Sequence, residues 1–141
     1  MKQLCIFAGV LLLLLSGSCR KIRQTQEQIA EDIVVKAMTD GRWTVTVYDD
    51  GTNHLPEFDG YEFQFKTNRT VDAIRNLATD ATGTWEGDGF KRQISASFTP
   101  AAPPVLLRLN GLWQITQNNW TWVKATQTIS GKLTTLELRK K

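Results

Sequence analysis

Short segments in which apolar and polar residues alternate constrain the fold of this chain more than any other feature of its sequence. In YEFQF, for example, Tyr61, Phe63 and Phe65 share one face of an extended chain, while Glu62 and Gln64 lie on the other. Segments of this kind run from residue 42 almost to the C-terminus, at 42–48, 61–65, 70–75, 83–87, 91–98, 105–109, 112–116, 119–125 and 132–139. The sequence therefore predicts an antiparallel all-β domain over residues 41–141.

The connections between these segments are short, which favours strands that pair with their neighbours along the chain. The count is nine strands, or eight if residues 107–116 form a single strand that bends at Gly111. Residues 99–104, TPAAPP, form a loop because proline does not continue a strand ladder. Eight such strands favour a closed up-and-down barrel, since closure removes exposed strand edges; a two-sheet sandwich is the alternative. In the first strand the alternation places Trp43, Val45 and Val47 on one face and Tyr48 on the other.

One short amphipathic helix is predicted before the barrel, over residues 26–39. Ile29, Ile33, Val34 and Ala37 fall at helical spacing, and Gly41 follows as a terminating glycine. We expect this apolar stripe to pack on the barrel, with a membrane-surface role as the alternative. Residues 19–25 then form a tether.

The first 18 residues have the pattern of a cleaved export signal. The apolar run at 6–15 is about ten residues long, half of the roughly 20 that a spanning helix needs, and Lys2 precedes it. Ser16, Gly17 and Ser18 supply the small residues that a signal peptidase requires.

The cysteine that follows these small residues resembles the lipobox of bacterial lipoproteins. The resemblance implies that Cys19 becomes the acylated first residue of the mature protein, which is then attached to a membrane. Arg20 at the next position, where an acidic residue would favour the inner membrane, suggests the outer membrane by analogy. The sequence departs from the usual lipobox at Ser16, where leucine is common. The alternative is an ordinary secreted protein with an unmodified thiol near its N-terminus.

Three segments share the pattern Gly-x-Trp, at residues 41–43, 83–85 and 111–113. Glycine at such positions allows a tight turn or the close packing of a large ring over the backbone. We interpret Gly41 and Trp43 as structural residues of the first strand.

The run from Gly41 to the C-terminus resembles the small lipocalin-like lipoproteins of the Bacteroidota. The residues that carry the resemblance are GRWTVTVYDDG, FDGYEFQFKTNRTVDA, GTW, ISASF, LNGLWQI and LELRK. It implies a barrel whose closed end is plugged by Trp43, with Arg139 as the best-placed residue to cover that ring, and it implies no catalysis. A clear TDY-type second motif is absent from the sequence, so the resemblance implies the fold more than the ligand.

Chemistry-bearing residues are sparse. His54 is the single histidine and lies in a polar loop, so neither a Cys/His or Ser/His/Asp site nor a zinc cluster is predicted. After removal of residues 1–18 the net charge is close to +2, because Lys2 leaves with the signal, and this is too small to indicate nucleic-acid binding. We expect a monomeric protein that is not an enzyme and holds no metal or cofactor.

Aromatic side chains are the remaining candidates for a binding site. Those selected as candidates are Phe63, Phe65, Trp85, Trp113, Trp120 and Trp122. They either fill the barrel core, or line a pocket for a small apolar or amphipathic ligand, or present Trp120 and Trp122 as a stacking platform for sugars. The sequence favours a lipid-anchored envelope protein whose barrel binds such a ligand. The alternatives are a sandwich-like carbohydrate- or protein-binding module and a purely structural lipoprotein.

Overall fold

The computed structural model describes the backbone of residues 4–141 and the side chains from Cys19 onward. The signal predicted over residues 1–18 lies outside the residues whose side chains are described. The elements are α1 (Leu4–Thr39), β1 (Trp43–Asp49), β2 (Tyr61–Phe65), β3 (Thr70–Arg75), β4 (Ala78–Asp88), β5 (Gln93–Ser97), α2 (Pro104–Leu107), β6 (Gly111–Asn119), β7 (Trp122–Ile129) and β8 (Lys132–Lys140). A single 3-10 turn, Leu55–Phe58, lies between β1 and β2.

The eight strands form a closed antiparallel barrel in sequence order, which confirms the predicted fold class. Each strand pairs with the next, and β8 closes the ring against β1, with Trp43 opposite Lys140 and Val45 opposite Leu138. No strand is left with an unpaired edge, so the aggregation risk of an open sheet is avoided.

The prediction of a strand over residues 105–109 is wrong, and this settles the strand count at eight. Pro104–Leu107 is a short helix that carries proline at its start, where the fixed φ of proline suits a helix and the missing N–H costs nothing. Leu106 of α2 is fully buried, so the apolar residues that suggested a strand serve instead to pack this helix on the barrel.

A β-bulge reverses the predicted faces of the second half of β1. The pairing with β8 shifts between Val45 and Val47, so one extra residue enters β1 at Thr46. Trp43, Val45 and Tyr48 therefore point into the barrel, and Val47 does not. Strict alternation predicted the opposite for Val47 and Tyr48.

One apolar cluster fills the barrel. The predicted stripe of Tyr61, Phe63 and Phe65 lies within it, as do inward-facing residues of the other seven strands. Among the residues whose side chains are described, the buried members of this cluster lie between Met38 and Leu138.

Helix α1 packs on the barrel with only part of the face that the sequence predicted. Ala30 and Val34 meet the glycines of the β4–β5 region, where a Cβ at Gly89 would lie 2.3 Å from the Ala30 carbonyl oxygen. Ile29 and Ile33 are instead exposed, at 54% and 51%. The short side chain of alanine lets the helix backbone approach the barrel closely. This close packing decides which face of α1 is buried, although the isoleucine face offers a larger apolar area. The helix ends at Thr39, as predicted, and begins at Leu4, so it also includes residues 19–25.

The barrel has two different ends. At the first, which we call the helix end, α1 enters β1. At the second, which we call the mouth, the β1–β2, β3–β4, β5–β6 and β7–β8 connections meet. The 3-10 turn and α2 both belong to connections at the mouth, where Phe58 and Leu106 are buried.

Candidate binding site

The three Gly-x-Trp tryptophans are structural. Each is at most 1% exposed, and each indole N–H donates a 2.9 Å hydrogen bond to a backbone carbonyl outside the strands, in the last turn of α1 or in a connecting segment. Trp43 bonds Met38, Trp85 bonds Lys66 and Trp113 bonds Leu109. Each tryptophan ring is therefore packed in the core, and its indole N–H is hydrogen-bonded to the backbone just before or just after a strand.

Trp43 is covered by a cation, as the resemblance implied, but by a different residue. The Lys140 ammonium lies 5.3 Å from the centre of its ring. Arg139, the predicted residue, lies instead over Trp122 at 5.6 Å. The two are neighbours on β8, so their side chains point to opposite faces of the strand.

The predicted aromatic pocket is almost filled. Phe63, Phe65 and Trp113 share an interior cavity with Leu136 and other apolar residues, and its volume is about 30 Å³. Trp85 packs edge-on against Phe65 at 5.3 Å. Drug-sized ligands occupy roughly 300–1,000 Å³, so the interior in this conformation holds no ligand of that size.

The two remaining candidate tryptophans lie outside the barrel. Trp120 is 57% exposed in the turn between β6 and β7. Trp122 begins β7, points away from the interior and is partly covered by Arg139. The pair therefore does not form a flat platform on a single strand, although Trp120 remains open to solvent.

An open cleft of about 850 Å³ lies at the mouth. Its walls come from the end of β1, the 3-10 turn, α2 and the β7–β8 hairpin. The apolar part of its lining is Pro104, Leu107 and Ile129. The polar part is Tyr48, Asp50, Glu57, Arg108, Asn110, Gln127, Thr128, Ser130, Lys132 and Thr134. This mixed lining suits an amphipathic molecule.

Two buried oxygen atoms in the cleft wall have no hydrogen-bond partner. They are Oε1 of Gln127 and Oγ1 of Thr134, and the two residues are paired in the β7–β8 ladder. Thr134 is 0% exposed. The Gln127 amide is held against β6, where a Cβ at Gly111 would lie 2.0 Å from its Nε2. The third Gly-x-Trp glycine thus makes room for a residue of the cleft.

An ion-pair network forms the opposite wall. Arg108 holds Glu57 through two hydrogen bonds, of 3.1 and 3.2 Å, and the backbone carbonyl of Arg108 accepts a 3.0 Å hydrogen bond from the Tyr48 hydroxyl. His54 lies behind this wall, with one ring nitrogen 2.6 Å from Glu57 and the other 3.2 Å from Asp50. The single histidine is thus integrated into the mouth.

This network shifts the pKa values of the groups around it. The hydrogen bond with His54, followed by the bond from Arg108, holds the pKa of Glu57 below its ordinary value. At Asp50 partial burial acts to raise the pKa, but the Thr52 N–H and His54 outweigh it and the pKa is lowered. Burial raises the pKa of Tyr48 despite the opposing charge of Arg108. At neutral pH the cleft therefore presents ionised carboxylates and a neutral phenol.

Sequence reasoning missed this cleft because its residues come from four separate segments. One signal was available in the alternation of the last two strands. Gln127 lies on the same inward face of β7 as Val123 and Ala125, and Thr134 lies on the same inward face of β8 as Leu136 and Leu138. A polar residue at an inward position, close to a turn, marks where the apolar core of a barrel ends.

Cys19, the residue predicted to carry the anchor, lies far from the cleft in sequence. Cys19 is exposed on α1, and its thiol forms no disulfide. Among the described residues, no helix is long and apolar enough to cross a membrane. Within the same part of the chain, no group of three His, Cys, Asp or Glu side chains is placed to hold a metal ion.

Comparison with known proteins supports the fold. The structure is similar to the crystal structure of a DUF4847 family protein from Bacteroides vulgatus, with a TM-score of 0.52 and 16% sequence identity. The similarity covers 75% of this chain and 96% of that protein. No protein-family model matches the sequence, and no curated protein matches it. The chain thus shares its fold with a protein from Bacteroides.

Proposed function

We propose that this protein is a lipid-anchored, non-catalytic binding protein of the cell envelope that holds a small amphipathic molecule in the mouth cleft. The observation that carries the proposal is the pair of unpartnered oxygens on Gln127 and Thr134. A buried polar group without a partner costs about 1–3 kcal/mol. Both oxygens are closed to solvent in this conformation, so a ligand recovers this cost when the cleft wall opens far enough for it to bond them.

The chemistry of the cleft defines the ligand. A hydroxyl or amino group donates to Gln127 Oε1 and exchanges a hydrogen bond with the Thr134 hydroxyl, which both donates and accepts. An apolar part of the same molecule rests on Leu107 and Ile129. The filled interior argues against the purely apolar ligand that was the other half of the sequence prediction.

The anchor rests on the sequence around Cys19. In this proposal Cys19 is acylated, and two or more acyl chains give the stable attachment that one chain does not. Outer-membrane location follows from the analogy at Arg20. The protein is then one of the small lipocalin-like lipoproteins that its motifs resemble.

A second candidate function is a surface module that binds carbohydrates or proteins. The exposed ring of Trp120 favours it, because an amphipathic indole face stacks well on sugar rings. Replacing Trp120 with alanine then abolishes sugar binding and leaves the fold intact. If neither the cleft nor Trp120 binds a ligand, a purely structural role remains.

Native mass spectrometry of residues 19–141 tests the proposal. We expect a discrete added mass on the purified protein, lost on gentle activation and absent from Thr134→Val. Valine keeps the shape of threonine but removes the hydroxyl. Thr135→Val, at the neighbouring position that points out of the barrel, is the matched control and should retain the added mass. An added mass that persists in Thr134→Val, or a bare protein from several expression hosts, contradicts the proposal.

A further inference from the structure

Three isoleucines form an exposed apolar stripe on the outside of α1. Ile22, Ile29 and Ile33 are 58%, 54% and 51% exposed. Spacings of seven and four residues place them on one side of the helix, and we call them the outer stripe.

The contacts of the opposite side of α1 fix the rotation of the helix. Ala30 and Val34 meet Gly89 and Gly87, so closely that neither glycine has room for a Cβ. Glu31 also forms an ion pair with Arg69 of the barrel. The outer stripe therefore cannot turn toward the barrel unless these contacts break.

The charges along α1 suit an anionic surface. Arg20 and Lys21 are exposed beside Ile22, and Lys36 is exposed beyond Ile33. Glu27 pairs with Arg23 at 3.0 Å on a side of the helix away from the outer stripe. Asp32 is the exposed acid in the described part of α1, and its carboxylate accepts a 3.0 Å hydrogen bond from Gln28. Isoleucines flanked by lysine and arginine are typical of a helix that lies in a membrane interface, where each cation near the surface adds attraction.

We infer that α1 lies along the membrane surface, with the outer stripe inserted among the headgroups and the barrel held on the aqueous side. The inference deepens the proposed function, because it assigns a second membrane contact beside the anchor at Cys19. A second copy of the chain is a poorer occupant, since three side chains fall far short of the roughly 20–30 residues a side of a stable dimer. A parallel pair of helices would also bring both clusters of cations together.

Vesicle flotation of residues 19–141 tests the inference. The protein carries Cys19→Ser, so that no acyl chain contributes to binding. We expect it to float with vesicles of phosphatidylcholine and phosphatidylglycerol, and to bind pure phosphatidylcholine less. The double variant Ile29→Gln, Ile33→Gln should lose at least about tenfold of the binding to anionic vesicles. Gln24→Ala with Gln28→Ala, on the same helix outside the outer stripe, is the matched control and should bind as before.

Three results would overturn the inference: no flotation of the parent protein, equal binding by the isoleucine variant, or a dimer in solution that only this variant dissolves. The intact mass of the full-length protein from its membranes tests the anchor separately. Stripe-dependent flotation without acylation of Cys19 would leave this inference standing and remove the proposed anchor. Acylation of Cys19 together with flotation that does not depend on the outer stripe would support the proposed anchor and overturn this inference.

Discussion

At the scale of single residues, tryptophan has a structural role in this protein at every Gly-x-Trp position. Trp43, Trp85 and Trp113 are buried, and each bonds a backbone carbonyl outside the strands. The glycine before Trp85 explains part of the pattern, because a Cβ at Gly83 would lie 2.9 Å from the ring of Phe98. The motif therefore specifies the packing of the barrel and not its ligand.

Trp113→Phe should lower the free energy of unfolding by about 1–3 kcal/mol. Phenylalanine keeps an aromatic ring in the core but leaves the buried Leu109 carbonyl without its indole donor. Denaturant unfolding measures the change. Leu112→Ala, at the exposed neighbouring position, is the control and should change the free energy by less than about 0.5 kcal/mol. Equal effects of the two substitutions would show that the indole bond contributes nothing.

Thr134→Val should stabilise the ligand-free protein by about 1 kcal/mol while it weakens binding. The substitution removes a buried hydroxyl that has no partner and puts a methyl group in its place. Thermal unfolding of ligand-free residues 19–141 checks the sign. A destabilised variant would mean that the hydroxyl already has a partner, such as a bound water, and would weaken the case for the cleft.

At the scale of elements, the sequence predicted the strands well and their local irregularities poorly. Alternation identifies strands because one face of each is buried, and it located part of each of the eight strands, although burial does not alternate throughout β1 and β3. The bulge at Thr46 adds a residue without any change of composition, so a period of two cannot reveal it. The segment that became α2 is apolar in either conformation, and only Pro104 at its start indicated a helix.

The face of α1 that packs on the barrel was predictable only in part. The larger apolar side chains favour one face of the helix, and the closest backbone packing favours another. Val34 was expected to pack on the barrel and does so, whereas Ile29 and Ile33 are exposed. Their place is taken by Ala30, whose small side chain allows the backbone to approach Gly89. The cleft was less predictable still, because its residues meet only after the barrel has closed.

Gly89→Ala should detach α1 from the barrel without unfolding the barrel. The added Cβ would lie 2.3 Å from the Ala30 carbonyl oxygen, a backbone atom that cannot move aside alone. Hydrogen exchange should show lost amide protection over residues 26–38 and unchanged protection in β1–β8. Lys91→Ala, in the same connection, is the control. Unchanged protection in the helix would mean that α1 does not depend on this contact.

At the scale of the whole molecule, a closed barrel with a filled core supplies the stability, and ionised carboxylates on its surface add to it. Asp72 is the most buried of them. Its pKa is held below the ordinary 3.8, first by the bond from Lys66 at 2.5 Å and then by the Thr82 hydroxyl, against an opposing effect of burial. A carboxylate with a lowered folded-state pKa contributes stability above its unfolded pKa, and this contribution disappears as the pH falls through the folded value.

The free energy of unfolding should therefore fall on acidification below about pH 4, and Asp72→Asn should reduce that fall. Asparagine does not titrate, so the variant begins less stable at neutral pH and loses less in acid. Denaturant unfolding between neutral pH and about pH 2.5 measures the slope. Asp59→Asn, at an exposed position between β1 and β2, is the control. Parallel pH curves for the parent and Asp72→Asn would contradict the assignment.

The central claim is that this barrel binds its ligand at the mouth and not in its interior. A high-resolution crystal structure of residues 19–141, purified without refolding, tests it most directly. We predict density for a small molecule within hydrogen-bond distance of Gln127 Oε1 and Thr134 Oγ1, with Phe63, Phe65 and Trp113 still closed around the small interior cavity. Density for a ligand among those three rings, with the mouth cleft empty, would contradict the claim.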